Sequence, residues 1–146
     1  VDAYVALSAQ GAGFSNWYDD EYNVTPAIPG TSWDDVAGPF LSVTGVFDRA
    51  NSMEAADRLK PFENMPAGDK RLLYSDDDRG PLTHNTFDLA HASSPEAHAK
   101  DVTTAVTSAV IAFLDWHLRD RPEAQAWLDS DSAPTLLGAG GRWEHK

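Results

Sequence analysis

The sequence predicts an α/β fold in which parallel strands are joined by crossover connections and flanked by helices. Three observations carry that expectation. Strand-like and helix-like runs alternate along the chain, which is the order produced by parallel strands with helical crossovers. The run at residues 39–46 (PFLSVTGV) is apolar almost throughout, as a strand buried on both faces must be. Polar residues stand just beyond the ends of two strand-like runs, where an open α/β sheet collects its chemistry. With 146 residues and 42% hydrophobic composition, 1–146 is about the size of one ordinary domain, with enough apolar material for a core.

Residues 2–8 form a short β-rich run closed by Ser8 and by Gly11 and Gly13, which permit a sharp change of direction. Residues 14–38 mix aromatic and acidic side chains with turn signals and hold no sustained period, so they read as a long loop with at most one helical turn. The second strand, 39–46, delivers Asp48 just past its end. A helix is expected over 52–59, with Ser52 as cap and Glu54 and Arg58 as an i,i+4 pair, stopped by Pro61. A third short strand spans 70–74, and the polar turn at 76–81 leads from it to His84.

Ser94 and Pro95 read as the cap and first turn of a long helix, with Val102, Val106, Val110 and Phe113 on its buried face and Trp116 or His117 continuing it. Pro122 opens a shorter helix through Trp127 and Leu128. Gly138, Gly140 and Gly141 mark a loose tail. Three parallel strands alone leave exposed edges, so the strand at 2–8 is expected to need a neighbour supplied from elsewhere.

Composition narrows the classes of partner. Eleven basic against twenty-three acidic residues give a formal charge of -12, which repels nucleic-acid backbones and anionic lipid surfaces. The chain has no cysteine, so thiol nucleophiles, disulfides and cysteine metal sites are excluded together. Its apolar stretches are far shorter than a membrane span, and its first residues lack a basic-then-apolar leader.

Asp48 and His84 are the candidate catalytic pair. An acid after one strand and a histidine after the next is the order of a Ser-His-Asp triad whose serine precedes both. In that arrangement His84 takes the serine proton as general base, while Asp48 fixes its tautomer and steadies the imidazolium. Asp34, Asp35 and Asp76 are substitutes should Asp48 point away. Ser15 lies in Gly13-Phe14-Ser15-Asn16-Trp17, a near miss to a nucleophile elbow. Trp17 replaces the second glycine there, and the piece follows the wrong strand.

Five segments together carry a family resemblance: 1–11 (VDAYVALSAQG), 39–48 (PFLSVTGVFD), 65–74 (MPAGDKRLLY), 83–87 (THNTF) and 113–128 (FLDWHLRDRPEAQAWL). In order and spacing they resemble the C-terminal half of bacterial α/β-hydrolases, above all the dienelactone-hydrolase-like esterases and lipases. The resemblance implies that Asp48 is the triad acid and His84 the triad histidine of a carboxylic ester hydrolase. It implies no cofactor. It also implies a partner: an N-terminal half, carried as a second chain or as part of the same precursor, that brings the nucleophilic serine and the oxyanion hole. The charged run Asp76, Asp77, Asp78 and Arg79 departs from the family by lengthening the approach to His84.

Other residues receive plainer readings. Trp17 and Tyr18, with Phe14, Tyr22 and Trp33, either line an acyl or aryl pocket for a small ester substrate or pin the long loop to the core. His91, Glu96 and His98 lack a tight ligand pair, so no metal site is expected. The run Asp76 to Asp78 lacks the alternating ligands of a calcium loop and reads as a solvated turn. The rival reading of the whole chain is a non-catalytic relative whose 14–38 loop binds a partner.

Overall fold

The computed structural model describes residues 2–8, 33–49, 54–76, 82–87 and 97–146. Four strands form one sheet in the order β1 (Tyr4–Leu7), β2 (Phe40–Gly45), β3 (Lys70–Ser75) and β4 (Gly141–His145). The first three run parallel, with Leu7 opposite Val43 and Val43 opposite Leu73. The expected alternation is therefore present, but the tail is not loose. The strand β4 pairs antiparallel with β3, setting Trp143 opposite Leu73 and His145 opposite Arg71. Gly141, read as part of a loose end, is crowded where β4 begins, since a Cβ there would stand 2.6 Å from the Pro134 carbonyl oxygen and 2.7 Å from Leu137 Cβ, both in the preceding helix.

Side chains alternate across the sheet. Leu41, Val43 and Leu73 face a layer made by helices α2 (Ala97–Arg119), α3 (Pro122–Leu128) and α4 (Ser132–Leu137). In α2 the buried residues Val102, Ala105, Val106, Ala109 and Phe113 recur at helical spacing, and Leu128, Ala133 and Leu137 complete the layer. On the opposite face Leu72 and Tyr74 pack on Phe62 of α1 (Lys60–Asn64) and on Leu59. Helices thus cover both faces, as a parallel sheet requires.

The segment before α1 differs from expectation. It is a 3₁₀ turn over Ala55–Leu59 that runs straight into α1. Pro61 does not stop the helix, because it sits in the first helical turn, where a missing N–H costs nothing. The tighter 3₁₀ winding also takes Glu54 and Arg58 off a common face. Glu54 is exposed and lies 3.7 Å from Arg49, whereas Arg58 is fully buried.

At the end of the sheet remote from Asp48 and His84, buried cations are tied to backbone carbonyls and acids. Lys70 Nζ donates to the carbonyl oxygens of Gly68 and Ala37, at 3.0 and 3.3 Å, and burial pushes its pKa down. Arg71 donates to Asp69, Asp129 and the Leu128 carbonyl.

His117 packs edge-on against Phe113, with ring centroids 4.5 Å apart. Its Nε2 lies 2.8 Å from Asp69 Oδ2, close but poorly aligned as a hydrogen bond. Burial pushes the His117 pKa down, Asp69 opposes that, and Arg71 adds to it. A histidine whose folded pKa is lowered leaves the unfolded state to take the proton first. The stability it contributes is full above the unfolded value of about 6.5 and is lost as pH falls below it. Thermal midpoints measured from pH 7.5 to 5 should therefore decline, and His117→Gln should flatten part of that decline. An unchanged slope in the variant would remove His117 from the account.

Candidate active site

Asp48 follows β2 after a short turn closed by its own N–H donating to the Gly45 carbonyl, at 3.0 Å. Gly45 is needed at the strand end, since a Cβ there would stand 2.7 Å from the Ser75 carbonyl oxygen. Past the ends of β2 and β3 the two connections meet again, with Phe47 bridged in parallel to Thr83. The next residues, Asp48 and His84, thereby become neighbours. His84 opens a 3₁₀ turn, His84–Phe87, that is tied at its base by the Thr86 N–H donating to the Thr83 carbonyl.

The Asp48 side chain is completely buried, and its carboxylate is surrounded by donors. Thr44 Oγ1 donates to Oδ2 at 2.8 Å, Ser8 Oγ donates to Oδ1 at 2.7 Å, and Arg58 Nε lies 3.0 Å from Oδ1. His84 Nδ1 is 3.3 Å from the same Oδ1 and 2.7 Å from Ser8 Oγ. The imidazole is about one-third exposed, with 34% of its side chain accessible. Among the described residues, no side chain engages its other nitrogen, Nε2.

Ser8 was legible in the sequence only as the start of a turn. In the fold it sits at the end of β1, its N–H donating to the Val43 carbonyl at 2.8 Å, with a left-handed φ of 63°. That conformation costs a non-glycine residue about 1–3 kcal/mol. Arg58 holds it in place: Nη1 donates to the Ser8 carbonyl at 2.9 Å, and Nε donates to the Asp48 carbonyl at 2.8 Å. One buried guanidinium thus ties the ends of β1 and β2 together and balances the buried carboxylate.

Ser8 is placed wrongly for a nucleophile. In a triad the acid and the serine use opposite ring nitrogens, so that a proton taken at one face is compensated at the other. Here Ser8 and Asp48 share Nδ1, and Ser8 itself is 8% exposed.

Comparison with protein families, with curated proteins and with solved structures gives no match. The chemistry of this site therefore rests on its own geometry.

The sequence-derived candidates divide clearly. Asp48 and His84 are brought together. Asp34 and Asp35 are exposed, and Asp76 lies at the surface 3.7 Å from Arg142. Trp17, Tyr18, Phe14, Tyr22 and Ser15 lie outside the described residues, as do Asp77, Asp78, Arg79, His91 and Glu96. Among the described residues, no group of three His, Cys, Asp or Glu side chains gathers to hold a metal, and no helix is long and apolar enough to cross a membrane. Arg58 and Ser8 were missed. A polar residue ending the strand beside the acid-bearing strand was the available signal for Ser8, whereas Arg58 read as half of an i,i+4 helical pair.

Proposed function

We propose that this chain contributes the acid and the base of a serine hydrolase acting on carboxylic esters, of the α/β-hydrolase type, and that the nucleophile comes from a segment outside it. The observation that carries this reading is the Asp48–His84 pair at the C-terminal ends of adjacent parallel strands, with Nδ1 engaged and the ring about one-third exposed, at 34%. In the reaction, His84 Nε2 takes the proton from the attacking serine hydroxyl and returns it to the leaving alcohol. Water, deprotonated by the same nitrogen, then releases the acid. Asp48, held by Thr44, Ser8 and Arg58, keeps the imidazole oriented and compensates its transient charge.

The outer edge of β1 supports a companion segment. Among the described residues β1 pairs only with β2, and Tyr4 and Leu7 are exposed there. Beside it a groove of about 300 Å³ runs between Leu7 and the exposed Ile111 of α2. An N-terminal half would continue the sheet along this edge and bring the serine elbow and oxyanion donors.

A fluorophosphonate that labels activated serines tests the reading. Intact-mass and peptide analysis should find one label per particle, on a serine outside this chain, and the label should be lost in His84→Gln. A label on Ser8, or none on a particle shown to be folded, would overturn it and favour a binding module.

A further inference from the structure

We infer that Ser8 is a positioning residue that couples Asp48 to His84 and sets the imidazole tautomer, an inference that rests on the dyad reading above and deepens it. Three distances make the case. The direct path from Asp48 Oδ1 to His84 Nδ1 is 3.3 Å, longer than a strong charge-assisted bond. The path through the Ser8 hydroxyl has two links of 2.7 Å each.

A hydroxyl has one proton to give. The carboxylate oxygen at 2.7 Å is the stronger acceptor, and the Ser8 proton points to it. The Ser8 oxygen then has only lone pairs to offer to Nδ1, so Nδ1 must carry the ring proton and donate it. The chain is Nδ1–H to Oγ, then Oγ–H to Oδ1, each link polarising the next. Nε2 is left unprotonated, with its lone pair available, which is the form a general base needs.

The surroundings hold Ser8 to this task. Its strained φ of 63° turns the hydroxyl toward the two partners, and Arg58 fixes its carbonyl. The Ser8 side chain is therefore a third member on the acid side of the ring, distinct from the nucleophile expected at Nε2.

The test reads the tautomer directly. In the ¹⁵N-labelled chain, long-range ¹⁵N–¹H correlation spectra at a pH where the ring is neutral should show His84 protonated at Nδ1 and bare at Nε2. His84→Gln assigns the signals. In Ser8→Gly, which accepts a left-handed φ without strain, the ring should move toward the Nε2-protonated form that free imidazole side chains prefer, while the thermal midpoint reports whether the fold is kept. Ser8→Ala should show the same shift. In the active particle both variants should lose about 10- to 100-fold in turnover with little change in KM, the range set by one hydrogen bond to a charged group.

Wild-type protein protonated at Nε2, or a Ser8→Gly spectrum that keeps the Nδ1 proton in a folded chain, would overturn the inference. The two readings fail separately. A locked tautomer with no phosphonate label would sink ester hydrolysis and leave the relay standing. A label with an unchanged Ser8→Gly tautomer would do the reverse.

Discussion

Asp48→Asn should lower turnover of a simple aryl ester by about 10⁴-fold in the particle that carries the nucleophile, because an amide can neither hold the required tautomer nor compensate the imidazolium. The local geometry makes the effect severe. Thr44 and Ser8 each donate a proton to a different oxygen of Asp48. Asparagine replaces one of those acceptors with an NH₂ donor, so one hydroxyl must turn away. If it is Ser8, its hydrogen becomes free for Nδ1 and the ring is driven to the wrong tautomer. The comparison is of kcat/KM for wild type and variant, with folding checked by circular dichroism. A loss smaller than tenfold would take the acid role away from Asp48.

Arg58→Met should cause the largest loss of stability of any single change at the site. Arg58 and Asp48 are both fully buried, and removing one partner leaves an uncompensated charge out of water. Breaking such a pair costs about 3–5 kcal/mol, or on the order of 10 °C in the thermal midpoint of a domain this size. Methionine fills much of the same volume, so the loss reports charge and hydrogen bonding more than packing. The double variant Arg58→Met/Asp48→Asn removes both charges and should be clearly less destabilised than the sum of the two single variants. Thermal melts of the four proteins complete the cycle. Additive losses would mean that the pair contributes nothing specific and that Arg58 acts through its carbonyl contacts with Ser8 and Asp48 alone.

The second effect depends on Arg58, which the sequence suggested only as half of an i,i+4 pair on an α-helix. That inference assumed α-helical winding. The observed 3₁₀ turn changes which residues share a face, and Arg58 turns inward to the strand ends. The same kind of error touched the tail. The glycines near residue 140 looked like looseness, yet Gly141 permits the close approach of β4 to Pro134 and Leu137 of α4. Local glycine content cannot distinguish a flexible end from a crowded one, because both need a missing side chain.

Hydrophobic periodicity by itself determined the α/β character, the strands β1 to β3 and the buried face of α2, since burial on a sheet or a helix imposes periods that survive in the sequence. The placement of Asp48 and His84 beyond strand ends was legible for the same reason. Tertiary structure alone decided the rest of the site. Ser8, Thr44 with Asp48, Arg58 and His84 come from four separate stretches, and their contacts depend on strand register and on the direction each side chain takes. Register is a long-range property: Leu7 opposite Val43 and Phe47 beside Thr83 set which hydroxyl meets which carboxylate. No local pattern encodes a 2.7 Å contact between residues 76 positions apart.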